Sequence, residues 1–191
     1  MLFRSTVAKT IQGQRLGSID TTLGPLKQLS MEVDIAGATS PTLEAWAMVS
    51  KPNTNPQTAM EAFERALIGK VLNFNHYFGA AGKFPLAIPY GLQGGSLIRR
   101  IHLFSSTVTD VEVRKDGATV FEAPAAVAQF IQEEFERVPQ TNVVTIDFVV
   151  DGNMSNVLNA ANARTMEYYA TVSGAGNVTV VAELLDPLAN N

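Results

Sequence analysis

Residues able to carry out chemistry are scarce in this chain of 191 residues. It contains no cysteine, which excludes disulfides, thiolate metal sites and thiol nucleophiles. Its two histidines are His76 and His102, and neither has an acidic residue close to it in sequence. Most catalytic triads and transition-metal sites depend on imidazole with an acidic or metal partner. We therefore interpret both histidines as structural or surface residues and predict no catalytic residue and no cofactor.

One stretch has the ligand spacing of a calcium loop. Asp151, Asn153 and Ser155 place side-chain oxygens two residues apart, as the first half of such a loop does. The twelfth position is Asn162, where a bidentate glutamate is needed, and the sixth position is not glycine. We expect Asp151 and Asn153 to cap a backbone turn. The sequence therefore predicts no metal site, and Asp151, Asn153 and Ser155 are only weak candidates for calcium ligands.

Two further motifs are incomplete, and neither predicts an enzyme. Residues 79–83 (GAAGK) resemble a phosphate-binding loop, but Tyr77 stands where its first glycine belongs and Phe84 replaces its Ser or Thr. Residues 94–98 (GGSLI) lack the last glycine of a nucleophile elbow. Both stretches indicate glycine-rich turns.

The composition narrows the class of protein. Apolar residues make up 46% and charged residues 17% of the chain, which has a formal charge of −4. Soluble domains typically contain about 25% charged residues. This balance excludes general disorder and argues against a specific nucleic-acid partner, which would need a basic face. A low charge is common in proteins that place much of their surface against copies of themselves.

The N-terminal residues are basic. Residues 1–27 contain Arg4, Lys9, Arg15 and Lys27 against one acidic residue, Asp20. They lack the continuous apolar segment of a secretory signal. One interpretation is an arm that touches lipid headgroups or nucleic acid, for which Arg4, Lys9 and Arg15 are the candidates. The other is a solvated tail or a short surface helix.

Alternation of apolar and polar residues predicts an all-β chain. Residues 108–114 and a return strand from Val120 flank a tight turn at Asp116 and Gly117. Residues 166–172 and 178–184 are joined by a glycine-rich turn and predict a second hairpin. Further strands are predicted at 29–35, 43–49, 70–75, 83–88, 97–104 and 144–150. About ten short strands at this spacing are typical of a sandwich or jelly roll.

Two helices interrupt the strands. The first begins at Asn55 and Pro56 and places Met60, Phe63 and Leu67 at helical spacing. The second begins at Pro124 and is expected to end before Pro139. Its apolar stripe consists of Val127, Phe130, Ile131, Phe135 and Val138. We expect both stripes to lie in the core.

Two blocks of residues carry a resemblance to a known family. The first contains residues 17–22 (GSIDTT), 31–38 (MEVDIAGA) and 40–43 (SPTL). The second contains residues 98–103 (IRRIHL), 111–117 (VEVRKDG), the helix, 146–148 (IDF) and 178–185. Together they resemble the double jelly-roll major capsid proteins of tailless, membrane-containing phages, the corticovirus-like branch in particular. The first block is similar to the end of that family's first jelly roll, and the second block to its second.

Pattern and resemblance together predict the fold class and the domains. The fold is an all-β jelly-roll sandwich of about eight strands with two extra N-terminal strands and two short helices. Residues 1–27 form a basic arm, and 28–50 form two strands that resemble the end of a first, shortened jelly roll. A helical linker follows at 51–69, and 70–191 form the jelly-roll domain.

The resemblance implies a structural capsid protein of a virion, without enzyme activity, that self-assembles into trimeric or pseudo-hexameric capsomers. It implies as partners copies of the chain itself, other virion proteins and an inner viral membrane. The alternative is a phage spike or lectin-like sandwich that binds a glycan or host receptor. Trp46, Tyr90 and Tyr169 would be its candidate platforms.

Overall fold

The computed structural model describes residues 33, 37, 42–44, 46, 67–88, 96–160 and 163–187. In these ranges nine strands, one α-helix and one 3₁₀ turn follow one another. They are β1 Leu67–Phe78, β2 Gly82–Leu86, β3 Leu97–Phe104, β4 Val108–Lys115, β5 Ala118–Pro124, α1 Ala125–Glu134, β6 Val143–Asp147, the 3₁₀ turn Met154–Asn156, β7 Leu158–Asn159, β8 Met166–Val172 and β9 Gly176–Pro187. None of the helices described has the length and apolar character needed to cross a bilayer.

The strands form two antiparallel sheets. In the first sheet the order is β1-β9-β3-β6, with the short β7 also paired to β3, and in the second it is β2-β8-β4-β5. Strands that follow one another in the chain therefore lie in different sheets everywhere except at β4–β5 and β6–β7. A five-stranded sheet that faces a four-stranded sheet, with the chain crossing repeatedly between them, forms a jelly roll. The predicted fold class is confirmed.

The core lies between the sheets and is mainly aliphatic. Alternate residues of β9, from Val178 to Leu184, are buried, as are Ile101 and Leu103 of β3. The facing sheet contributes Val111 and Val113 of β4 together with every second residue of β8. Because successive side chains of a strand point to opposite faces, each strand gives one apolar row to this core.

Aromatic pairs close the two open sides of the sandwich. On the side formed by β1 and β2, the ring of Phe78 stacks on that of Phe84 with centroids 4.9 Å apart. On the opposite side, Phe121 of β5 meets Phe148 edge to face at 5.9 Å. α1 packs against β4, β5 and β6 and covers this second side. We call the two the β1–β2 side and the helix side.

Backbone hydrogen bonds tie several loops together at one end of the sandwich. The Ser173 amide donates to the carbonyl of Thr107 at 2.8 Å, and the Ser105 amide donates to that of Asn142 at 2.9 Å. The hydroxyl oxygens of Ser105 and Thr107 lie 2.9 Å apart. The corner between β3 and β4 is thereby held against the corner between β8 and β9.

One predicted hairpin is confirmed and the other is wrong. β4 and β5 pair around Asp116 and Gly117, whose φ angles of 52° and 80° are those of a tight turn that favours glycine. The strands predicted at 166–172 and 178–184 both exist, but β8 pairs with β2 and β4 while β9 pairs with β1 and β3. Each strand has one buried face in either arrangement, so the alternation is the same for a hairpin and for a corner between sheets.

The prediction that the stripe of the second helix lies in the core is also wrong. α1 ends at Glu134, so Phe135 and Val138 lie beyond it. The helix turns Ala128 and Gln132 toward the sheets and leaves Val127 and Phe130 exposed. The small side chain of Ala128 allows α1 to lie close to the strands. The Gln132 side-chain amide donates to the Ala128 carbonyl at 3.2 Å, which satisfies it in its buried position.

The N-terminal predictions lie almost entirely outside the described residues. They comprise the basic arm, the strands at 29–35 and 43–49 and the first helix, of which only isolated positions and Leu67 are described. Leu67 belongs to β1 and not to a helix. β1 therefore begins three residues before the predicted start of the jelly-roll domain at 70.

We expect Val180→Ala to lower the free energy of unfolding by roughly 2–3 kcal/mol, because it removes two fully buried methyl groups and leaves a cavity. Val120→Ala is the matched control, since Val120 is exposed on β5, and its effect should stay within about 0.5 kcal/mol. Urea denaturation followed by circular dichroism measures both. Equal effects of the two substitutions would contradict the assignment of the core.

Candidate functional site

The first sheet carries a charged cluster on its outer face, which we call the outer-face cluster. It consists of Arg100 and His102 of β3, Thr145 and Asp147 of β6, and Glu183 of β9. Arg100 pairs in register with both Asp147 and Glu183, and cross-strand partners share one face of a sheet. A bulge between Ile98 and Arg100 places the arginine outside while Ile98 and Ile101 both stay buried.

Each polar group of this cluster has a partner. Arg100 donates from Nε to Asp147 at 2.7 Å and from Nη1 to Glu183 at 3.3 Å. His102 contacts Thr145 at 2.9 Å and Glu183 at 3.4 Å through its two ring nitrogens. The hydrogen bond with His102 and the charge of Arg100 outweigh burial and hold the pKa of Glu183 below its usual value. The cluster is an ion-pair network that joins three strands.

A pocket of about 250 Å³ lies between this cluster and the helix side. Gln132 of α1 and the following residues Arg137 and Val138 form its other wall. Two arginines and two carboxylates face it, so the pocket has no overall preference for anions or cations. Arg100 is neutralised by Asp147 and Glu183, whereas Arg137 donates to the carbonyl of Val150 at 3.5 Å.

The second sheet buries a carboxylate on its outer face. Glu112 of β4 is only 3% exposed, and it forms ion pairs with Arg114 and Lys83. The Thr119 hydroxyl donates to it at 3.0 Å. The hydrogen bonds from Arg114 and Lys83 outweigh burial and lower the pKa of Glu112 from 4.5 to about 2. The two cations also lie over the Tyr169 ring, 5.3 and 5.4 Å from its centroid.

These contacts bear on the candidate glycan platforms. The Tyr169 ring is engaged by Lys83 and Arg114, while Trp46 is almost fully exposed and Tyr90 lies outside the described residues. Within the described residues, no aromatic surface is therefore assembled from these three side chains.

The helix side exposes apolar residues. Val127, Phe130, Phe135 and Val138 all have large exposed fractions, although the sequence predicts them in the core. Three glutamates at the end of the helix are exposed beside them: Glu133, Glu134 and Glu136. An apolar strip with a charged border is typical of a contact surface.

The calcium candidates form turn hydrogen bonds. The carboxylate of Asp151 accepts from the Asn153 amide at 2.8 Å, and the side-chain oxygen of Asn153 accepts from the Ser155 amide at 2.9 Å. Asn156 donates from its side chain to the second oxygen of Asp151 at 2.9 Å. This is the capping role that the sequence favours. A calcium role for Asp151, Asn153 and Ser155 stays a prediction.

The histidines occupy structural positions. His76 lies in β1 with its ring parallel to that of Phe78, at a centroid distance of 6.2 Å. His102 belongs to the outer-face cluster. In the described ranges, no group of three histidine or acidic side chains is placed to hold a metal ion. The basic candidates Arg4, Lys9 and Arg15 lie outside these ranges.

Sequence reasoning missed the partners in both charged clusters. His102 and Glu183 are 81 residues apart, and Lys83 and Glu112 are 29 apart, so spacing holds no signal for either pair. The alternation did place Glu112 on the polar face of its strand. Alternation therefore identifies the face of the strand on which Glu112 lies, but it shows neither that Glu112 is buried nor which residues pair with it.

A comparison with family models finds one match, to the model described as "Viral coat protein P2 C-terminal domain", over residues 68–188. These limits lie within one residue of the first residue of β1 and the last of β9. No curated protein matches the chain by sequence.

Solved structures with a similar fold include viral capsid proteins. The major capsid protein P2 from Bacteriophage PM2 matches with a TM-score of 0.58 and 19% identity over 63% of this chain and 45% of that one. The STIV MCP matches with a TM-score of 0.51 and 18% identity over 65% of this chain and 42% of that one. A chain in the atomic structure of Sulfolobus Turreted Icosahedral Virus matches with a TM-score of 0.50 and 19% identity over 64% of this chain and 39% of that one. The chain thus spans less than half the length of each of these three solved proteins, and the likeness to them is one of fold.

We expect Glu112→Gln to lower the free energy of unfolding by about 1–3 kcal/mol at neutral pH, because it weakens charge-assisted hydrogen bonds to a buried group. The pKa of Glu112 is lower in the folded protein, so ionisation favours folding above pH 4.5 and the contribution is lost as the pH falls toward about 2. The difference between wild type and variant should shrink over this range. Denaturation at several pH values measures it.

The matched control is Glu133→Gln, which changes an exposed glutamate of α1 in the same way. It should alter stability by less than about 0.5 kcal/mol at every pH. A difference between wild type and Glu112→Gln that does not change with pH would contradict the assignment.

Proposed function

Because the chain belongs to the viral coat protein P2 C-terminal domain family, we propose that it is a structural capsid protein whose jelly roll assembles with copies of itself into trimeric or pseudo-hexameric capsomers of a virion shell. The observation that carries the proposal is the extent of the family match. Residues 68–188 cover the whole sandwich from β1 to β9, so the unit related to coat proteins is the complete fold and not a local motif.

The chemistry of the surface supports a structural role. Arg100, Asp147, Glu183 and Glu112 all have their charges satisfied by neighbours in the same chain. Such networks join neighbouring strands and stiffen the sandwich. A shell subunit needs a rigid shape and complementary surfaces more than reactive groups.

Contacts between copies have a physical basis in the exposed apolar residues. The helix side exposes Phe130 and Val138, and β1 exposes Val71 and Tyr77. Apolar surface that is removed from water contributes about 25 cal/mol per Å², which favours association. The low charge of the chain limits repulsion between copies.

The basic residues of the N-terminal arm support a membrane as a further partner. Arg4, Lys9 and Arg15 contribute three positive charges in the first 15 residues, and each basic residue near an anionic membrane contributes about 1 kcal/mol of binding. We place an inner viral membrane and other virion proteins among the partners. The arm would then face the lipid while the jelly roll forms the shell.

We expect the purified chain to be trimeric or larger at micromolar concentration, because its capsomers are built from copies of itself. Size-exclusion chromatography with light scattering measures the mass against the 20.5 kDa of one chain. A protein that stays monomeric throughout the accessible concentration range would contradict the proposal.

Replacing Arg4, Lys9 and Arg15 by glutamine should weaken binding to anionic vesicles by roughly 100-fold, from about 1 kcal/mol for each charge. Co-sedimentation with vesicles that contain phosphatidylserine measures this. Arg164→Gln is the control, since it removes a charge from an exposed position of the jelly roll. If the wild type binds neutral and anionic vesicles equally, the arm does not act through its charge.

A further inference from the structure

We propose that residues 29–35 of one copy form a strand that pairs with the free edge of β1 in a neighbouring copy. This inference rests on the proposed function, which makes a second copy of the chain the partner. It adds the way in which copies are joined, namely by an exchanged strand that continues the first sheet.

β1 is the longest edge strand in the part of the chain that the structure describes. Its 12 residues pair with β9 in one unbroken register, and no described strand lies on its other side. Because alternate residues of a strand direct their N–H and C=O groups to opposite sides, about six residues of β1 direct theirs away from β9. A long, regular edge of this kind is a template for a further strand.

The other edge strands of the two sheets are short or covered. β2 has five residues and includes Pro85, which has no N–H to donate. β5 has seven residues, ends at Pro124 and has a register shift in its pairing with β4. β6 has five residues and packs against α1. In contrast, β1 contains no proline and only one charged residue, Lys70, so its edge lacks the usual protection against strand pairing.

The core-facing row of β1, which we call its inner row, is incompletely buried. Leu72 and Phe74 lie in this row, in register with Ala182 and Val180 of β9. These two neighbours in β9 are fully buried, whereas Leu72 and Phe74 are only partly buried. The core therefore ends at β1 with apolar surface still in contact with water. A strand that covers this edge must bring an apolar row on its inner side.

A polar atom of the same row also indicates that the described residues do not complete this edge. His76 lies in the inner row of β1, in register with the buried Val178. Its Nε2 atom is buried and has no hydrogen-bond partner within the described ranges. Buried polar atoms of proteins are nearly always hydrogen-bonded.

Residues 29–35 (LSMEVDI) have the pattern that this edge requires. They give one apolar row, Leu29, Met31, Val33 and Ile35, and one polar row, Ser30, Glu32 and Asp34. Paired with β1, the apolar row continues the inner row and the polar row lies beside the outer row. The outer row of β1, from Gly69 to Tyr77, contains no charged residue, so Glu32 and Asp34 meet no like charge on the adjacent strand.

The other strand predicted before β1, at 43–49 (LEAWAMV), fits this edge less well. Its rows are Leu43, Ala45, Ala47 and Val49 on one side and Glu44, Trp46 and Met48 on the other. Pairing it with β1 leaves two large apolar side chains on the outer face of the sheet. Residues 29–35 are therefore the better occupant.

Val33 favours an exchange between copies over pairing within one chain. It is the position of this segment that the structure describes, and there it belongs to no strand and is 43% exposed. In the isolated chain this member of the apolar row therefore stays in contact with water. The 31 residues from 36 to 66 separate the segment from β1, and at about 3.3 Å per residue they can span roughly 100 Å, enough to reach a neighbour. A strand of one copy on an edge of the next is a heterologous contact, which closes into a ring when the rotation between copies allows it.

Cysteine cross-linking tests the exchange, because the chain has no cysteine of its own. Glu32→Cys places a thiol at the centre of the segment, and Asn73→Cys places one near the centre of β1 on its outer row, so the two are close for either strand direction. The full-length variant with both substitutions, and each single variant, are treated with a short bis-maleimide and resolved by denaturing electrophoresis. Ala118→Cys, at the exposed β4–β5 turn, is combined with Glu32→Cys as the control.

We expect covalent dimers and trimers from the double variant E32C/N73C and none from either single variant or from the control. A cross-link within one chain, which keeps the mass of a monomer, would show that the segment pairs with its own β1 and would overturn the exchange. Absence of cross-links in a protein that light scattering shows to be trimeric would also overturn it, while leaving the proposed function intact. A wild-type protein that is monomeric by light scattering would refute both.

Amide hydrogen exchange of the full-length chain provides a second measurement. Val33→Asp places a charge in the apolar row of the segment, and Glu32→Gln, in its polar row, is the matched control. We expect Val33→Asp to speed the exchange of the outward-directed amides of β1 by about 10-fold and to leave β3, which is paired on both sides, unchanged. Equal protection of β1 in wild type and Val33→Asp means that the segment does not cover this edge, and the proposal fails. Val33 is partly exposed, so the variant should fold, and circular dichroism checks this.

Discussion

Burial of aliphatic side chains between the two sheets is the interaction on which the rest of this structure depends. Every strand gives one row to that space, including Ile101 and Leu103 from β3 and Val178 and Val180 from β9. Charged side chains are consequently displaced to the outer faces, where strand register determines their neighbours. The outer-face cluster follows directly, since Glu183, Arg100 and Asp147 lie side by side on consecutive strands of the first sheet.

A sandwich with a filled interior still has two open sides, and the chain closes them differently. On the β1–β2 side, the stacked rings of Phe78 and Phe84 suffice. On the helix side, α1 approaches closely through Ala128, and the close fit turns Phe130 outward. The exposed apolar strip is thus a consequence of how the fold is closed. A monomeric domain rarely keeps a large apolar surface uncovered, so the packing of α1 supports the proposed contact between copies.

The same constraint explains why the polar groups are structural. Glu112 is nearly buried on an outer face because Lys83, Arg114 and the Tyr169 ring surround it, and the strong ion pairs keep it charged. A group held so firmly in one protonation state is a poor proton carrier near neutral pH. It joins β2, β4 and β8 across the sheet instead. Membership in the coat protein family and the charge network therefore agree on a structural role.

Sequence alone determined the local features of this protein. The strand from Met166 to Val172 and the turn at Asp116 and Gly117 follow from alternation and turn chemistry, which act within a few residues. Tertiary structure decided the partners. The sequences of β8 and β9 predict a hairpin, yet the two strands belong to different sheets. Alternation of apolar and polar residues shows only that each strand has one buried face, and it does not identify the strand with which it pairs. The orientation of α1 and the pairing of His102 with Glu183 depend on residues far apart in the chain, and only the packed sandwich brings these together.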